Sequence, residues 1–244
     1  MNDRDWQIRV DLAAAFRLAA YHDMHEGIDN HFTYALDDSG ERYLLNPFGL
    51  HWSEVTASSL LEVDGEGKVI EGEGEAEESA VCIHGPIHRR HPQGRCVLHT
   101  HMPYATSLSM LGDGHNRLEP ASQTSLFFYD DVAYDDSYSG VADSFEEGER
   151  MAGVMQDKRV LFLANHGVVV ACDSISRAFH ELYFLERACQ AQILAMSTGK
   201  PLRHISDNVA PIFRDMEEER NRRADLYFIA MKRILDRDNP GYDA

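Results

Sequence analysis

With 244 residues, 43% of them hydrophobic, the chain is long and apolar enough to bury a full core. Twenty-three basic residues against 41 acidic ones leave a net charge of −18, which repels phosphate backbones and anionic lipid heads. Nucleic acid and membrane surfaces are thereby excluded as expected partners. No apolar run approaches the roughly 18 residues that span a bilayer, and MNDRDWQIRV lacks the apolar stretch of a signal peptide, so a cytoplasmic setting is expected.

Residues 6–22 carry Ile8, Leu12, Ala15, Phe16 and Ala19 at helical spacing, with Gly27 beyond. HFTYAL (31–36) and RYLLNP (42–47) read as strands around the turn DDSG (37–40). Thr56 is a candidate N-cap leading into a further strand by Asp64, and DGEG (64–67) is a hairpin turn before KVIEG. A helix is expected over 78–91, then a strand at RCVLHTH, then a helix opened by Pro103. RVLFLANHGVVVAC (159–172) is two β-prone runs around a turn at Asn165-His166-Gly167. Asp173 is the expected cap of a long helix carrying Ala178, Leu182, Leu185, Ala188 and Ile193, which Gly199 ends. Strands interleaved with helices predict one α/β domain over 1–244, with the sheet direction left open. The cysteines (Cys82, Cys96, Cys172, Cys189) form no CxxC pair and read as small buried hydrophobes.

Chemistry concentrates at RCVLHTH. Residues i and i+2 of a strand share a face, so His99 and His101 present neighbouring imidazoles, suited to a cation such as zinc. An H-x-H pair also arises on half-buried strands. A third imidazole, His166, sits at the tip of the NHG turn, where pointing into a shared site is more natural than packing. Three histidines with an open position are the arrangement of catalytic zinc.

These residues carry a resemblance. HPQGRCVLHTHMPYATSLSML and LFLANHGVVVACDSISRAFHELYFLERACQAQ, with NHFTYAL and LLNPFGLHWSEVTASSLLEVDGEG before them, are similar to the class II aldolase/adducin family from about Leu12 to Gly199. The resemblance implies a three-layer α/β/α domain with a central, mostly antiparallel sheet. It implies a homotetramer with active sites between subunits, and a divalent metal, usually Zn2+ (with Mn2+, Co2+ or Fe2+ as alternatives), on His99, His101 and His166. Family enzymes cleave or epimerise sugar phosphates, with a glutamate as acid/base nineteen residues before the first metal histidine. That position holds Ala80, and the register is anchored by His84 and Pro92.

Other departures follow. Phe48-Gly49 stands where the sugar-phosphate aldolases place threonine before glycine, and Glu78-Ser79 where they place paired serines. A ring and a carboxylate there disfavour a bound phosphate. Asn30 matches the family's asparagine near the substrate, so Asn30, Gly49 and Ser79 are the candidate substrate contacts. Glu77 and Glu78 lie close to the vacated acid position. Glu78 is the candidate substitute, against the alternative of a solvated loop. Tyr134, with Tyr129 and Asp136, falls where the family contributes residues across a subunit boundary, and Tyr227 lies on a C-terminal segment of that kind. His84, His88 and His91 would share one face if 84–91 is helical, although Pro86 is expected to interrupt it. They read as packing or supporting residues rather than a second metal site. Glu181 and Glu186 read as buried or interfacial ion pairs. The expected function is a metal-dependent carbon–carbon lyase, aldolase- or decarboxylase-like, acting on a small non-phosphorylated carbonyl or carboxylate compound. The alternative is a non-catalytic, adducin-like metal-binding oligomer or interaction module.

Overall fold

A computed structural model describes residues 3–138, 140, 143–214 and 216–244. The strands are β1 (His31–Ala35), β2 (Arg42–Leu45), β3 (Leu61–Asp64), β4 (Val69–Glu71), β5 (Cys96–Thr100), β6 (Val132–Asp135), β7 (Val160–Leu163) and β8 (Gly167–Cys172). They form one eight-stranded sheet in the order β4-β3-β2-β1-β5-β8-β7-β6. Only the β6–β7 pairing is parallel among those of the described strands. Helices α1 (Asp3–Tyr21), α2 (Glu78–Arg90), α3 (Pro103–Ser109), α4 (Phe145–Met155), α5 (Ile175–Met196), α6 (Ala210–Arg214) and α7 (Glu217–Asp238) complete the chain.

Alternation along the strands divides the core into two layers. Phe32, Leu98, Val168 and Val170 face one side and pack with Leu12, Phe16 and Leu18 of α1 and Phe179 and Leu182 of α5. Val97, Leu161, Val169 and Ala171 face the other, against Ile83 and Ile87 of α2 and Met151 and Met155 of α4. The fold is therefore the three-layer α/β/α architecture with a mostly antiparallel sheet. All four cysteines are free and buried. Among the described residues no helix is long and apolar enough to cross a membrane.

Two expected details change. The α5 cap is Ser174, not Asp173: its backbone is extended (φ −141°, ψ 155°) and its Oγ accepts from Arg177 N. Pro86 does not interrupt α2, which runs continuously from Glu78 to Arg90. A mid-helix proline removes one N–H and crowds the carbonyl four residues back, here that of Cys82. Helix α4 packs against that carbonyl, where a Cβ built on Gly148 would lie 1.8 Å from Cys82 O and 3.0 Å from Pro86 Cγ. The bare glycine lets the two helices meet at the point where the proline disturbs the ladder.

Candidate metal centre

Register places the site. His31 on β1 pairs with His99 on β5, and Thr33 with Val97, so His31, Thr33 and His99 share the face covered by α2. His101 lies just beyond β5, and the β7–β8 turn brings His166 beside it. A Cβ on Gly167 would lie 2.4 Å from Thr100 O and 2.9 Å from the His101 ring, so only glycine lets this turn approach. Ring centroids of His99 and His166 are 4.9 Å apart, and those of His101 and His166 4.7 Å. Ligand nitrogens of His99, His101 and His166 all lie within 4.8 Å of one another.

The hydrogen-bond partners assign the tautomers. His99 Nδ1 meets the Val168 carbonyl at 3.0 Å, and His101 Nδ1 meets the Glu26 carboxylate at 2.5 Å. Both partners accept only, so each Nδ1 carries a proton and each Nε2 is the nitrogen turned toward the shared site. Those two Nε2 atoms face one another at 3.1 Å. Two nitrogens this close need a proton or a metal cation between them. Burial, followed by the neighbouring His166, holds the His99 pKa well below the usual histidine range. Burial and His101 bring His166 down to about 4. The donor set fits a borderline divalent cation, with backbone carbonyl and carboxylate holding the imidazoles from behind.

Asp29, Asn30, His31, Glu77 and Ser79 line the same cleft, of about 350 Å³, and Tyr138 stands at its edge. Asn30 adopts a left-handed backbone (φ +74°), and its Oδ1 accepts from His101 N at 3.2 Å. Its Nδ2 finds no partner, leaving a donor in the cleft. Ser79 donates to Glu77 Oε1 at 2.7 Å, while Glu77 Oε2 is buried without a partner. Burial raises the Glu77 pKa.

Several expectations shift here. Glu78, the candidate substitute acid, is exposed at the start of α2, in keeping with the solvated alternative, while Glu77 lines the cleft. Ala80 is fully buried. Gly49 adopts φ +86° and does not line the cleft, and Phe48 is exposed beside it. Tyr134 is not brought to the histidines within one chain. Its ring stacks on Phe162 at 5.4 Å beneath the Arg117 guanidinium, its hydroxyl accepts from Leu118 N at 2.9 Å, and burial pushes its pKa up to about 12. Asp136 pairs with Arg117, and Tyr227 packs on Tyr183 and Phe179. His91 bonds the Lys158 carbonyl, and His84 and His88 are buried under β1. Glu181 forms the expected buried ion pairs with Arg177 and Arg220. Glu186 instead accepts from Tyr104 N and Ala105 N at the start of α3. A larger cavity, of about 490 Å³, lies between α5 and α7, away from the histidines.

Comparison with known proteins supplies the relationship. Residues 10–193 match the Class II Aldolase and Adducin N-terminal domain. A Pseudomonas aeruginosa protein assigned to the class 2 aldolases is 36% identical over 98% of this chain and 92% of its own length. Mouse alpha-adducin is 32% identical over 80% of this chain but 26% of its own, and decarboxylase NovR of Streptomyces niveus is 28% identical over 72% and 64%. An aldolase II superfamily structure from Pseudomonas syringae superposes with TM-score 0.89 at 34% identity, covering 100% of this chain and 98% of that one. L-fuculose 1-phosphate aldolase from Glaciozyma antarctica superposes with TM-score 0.84 at 28% identity, covering 97% and 92%. The chain belongs to the class II aldolase/adducin family.

Proposed function

We propose that the protein is a metal-dependent carbon–carbon lyase, of aldolase or decarboxylase type, acting on a small non-phosphorylated carbonyl or carboxylate compound. The convergence of His99, His101 and His166 in one cleft with Glu77, one of whose carboxylate oxygens is buried without a partner, carries this reading. Zinc is the cation best suited to three neutral imidazoles. When bound, it would polarise a carbonyl or carboxylate oxygen and stabilise negative charge on the adjoining carbon.

The chain's own groups divide the remaining work. Asn30 fixes the His101 backbone through Oδ1 and offers Nδ2 to a substrate oxygen. Glu77 is the acid/base, with Ser79 orienting one carboxylate oxygen and the other free. Its raised pKa favours proton exchange nearer neutrality. Asp29 and Glu77 give the cleft an acidic lining, which disfavours a phosphate dianion. That favours a substrate other than the sugar phosphates, and NovR's description as a decarboxylase is consistent with such chemistry within the family. The open cleft with Tyr138 at its edge fits a homotetramer whose neighbour closes the site, where Tyr134 and Glu78 of the expected set would play supporting rather than proton-transferring roles.

The test combines metal analysis of the purified protein with a screen of hydroxy-ketones, hydroxy-acids, aromatic carboxylates and fuculose-type phosphates. The expected result is about one divalent ion per chain and turnover of a non-phosphorylated compound. Glu77→Gln should cost at least roughly 100-fold in kcat with metal retained, and Glu78→Gln little. A fully metallated protein that turns over nothing would support the non-catalytic, adducin-like reading instead.

A further inference from the structure

Behind the metal centre runs a row of buried polar side chains whose shortest hydrogen bonds, read from the His88 end, set one direction. His88 Nδ1 lies 2.5 Å from the Gly94 carbonyl, which can only accept, so that nitrogen holds a proton. Burial brings the His88 pKa down to about 4, so the ring is neutral and its Nε2 is an acceptor. The Thr33 hydroxyl, 2.7 Å away, donates to it in preference to the more distant Val97 carbonyl at 3.4 Å. The Thr33 oxygen then accepts from His84 Nδ1 at 2.6 Å. With its proton on Nδ1, His84 presents an accepting Nε2, which receives His31 Nδ1–H at 2.9 Å. His31 is thus left with a lone pair on Nε2. Ser79 Oγ lies 3.4 Å from that nitrogen, a long contact, and the Ser79 proton is already held by Glu77 at 2.7 Å.

We propose that His31 is a fixed hydrogen-bond acceptor of the substrate pocket, its Nε2 lone pair turned to the cleft by a relay through His84, Thr33 and His88 to Gly94 O. The inference deepens the lyase reading and rests on it for the word substrate. His31 lines the cleft, and its ring lies 4.9 Å from that of His99. A ligand chelated at the three histidines would therefore lie beside an imidazole that accepts and cannot donate. The class selected is a compound carrying a hydroxyl donor beyond its metal-chelating pair of oxygens. A ligand with only acceptors there would face lone pair against lone pair. Thr33, His84 and His88 are positioning residues that act through His31.

Two measurements test this, and the first needs no turnover. A neutron structure of the deuterated wild-type protein should show deuterium on Nδ1 and none on Nε2 of His31, His84 and His88. The second uses zinc-loaded full-length protein and two chelating probes, acetohydroxamate and glycolohydroxamate, which differ by one hydroxyl. The wild type should bind the hydroxylated probe roughly 10-fold more tightly, and Thr33→Val should erase most of that preference with zinc content unchanged. Deuterium on His31 Nε2, or a Thr33→Val protein that keeps the full preference, overturns the assignment. A wild type that shows the preference yet turns over no substrate supports the acceptor while overturning the lyase reading.

Discussion

The His101 imidazole is held by a carboxylate from the loop after α1, and that contact reaches well beyond itself. Glu26 meets Nδ1 at 2.5 Å, fixing the proton there and leaving Nε2 to face His99. A carboxylate behind a ligating histidine raises its basicity, and losing one typically costs 10–100-fold in metal affinity. Glu26→Gln should therefore weaken zinc binding by about that factor, read by competition with a calibrated chelator, while the thermal stability of the metal-free protein changes little. Equal zinc affinity in the two proteins would remove Glu26 from the site. The three imidazoles were legible from two strands and a turn. Glu26 was not, because it sits 75 residues from His101 in sequence and carries no pattern of its own. Glu77 and Glu78 show a finer limit. Which of two adjacent carboxylates enters the cleft depends on where α2 begins. Glu77 takes the cap position with extended backbone (φ −72°, ψ 129°), and Glu78 becomes the first helical residue and turns to solvent.

At the scale of elements, α1, α2, α3, α5 and strands β1–β5, β7 and β8 followed from periodicity and turn residues, because each is specified by residues within a few positions of one another, whereas β6, α4, α6 and α7 went unread. The exceptions depended on distant partners. Pro86 stays inside α2 because α4 supplies a residue small enough to seat against Cys82 O. Local and tertiary rules disagree about Gly148. Helix propensity alone favours Gly148→Ala by about 1 kcal/mol. The added Cβ, at 1.8 Å from Cys82 O, forces α4 away from α2, and overpacking of this kind costs about 1–3 kcal/mol or more. The packing effect is the larger, so Gly148→Ala should lower the melting temperature by a few degrees. An unchanged or higher melting temperature would mean that α2 and α4 have room the structure does not show.

Across the whole molecule, α5, α7 and Arg159, just before β7, are joined by a charge network around the buried Glu181. Arg177 Nε meets Glu181 at 2.6 Å and Arg220 meets it at 3.1 Å, while Glu217 pairs with Arg159 at 3.2 Å and Arg177 at 3.4 Å. The spacing of Arg177 and Glu181 on one helix made an ion pair legible, but Arg220 and Arg159 join through tertiary packing alone. Burial by itself would raise the Glu181 pKa. The neighbouring His180 and the guanidiniums of Arg220, Arg177 and Arg159 outweigh it and hold the carboxyl far below its ordinary 4.5. The unfolded chain therefore takes up this proton at a higher pH than the folded one. The stability Glu181 contributes is fully present above about pH 4.5 and is lost progressively as pH falls from there toward the depressed folded value. Glu181→Gln would leave Arg177 and Arg220 facing each other without their shared anion, at a cost of about 3–5 kcal/mol near neutrality. Denaturant unfolding at neutral pH should show that loss, and a series extended below pH 4.5 should show a shallower acid decline in the variant than in the parent. Parallel acid limbs would place the acid sensitivity in other carboxylates. Among the buried ones, Glu186 cannot supply a limb of that sign, because burial raises its pKa and makes its contribution grow as pH falls.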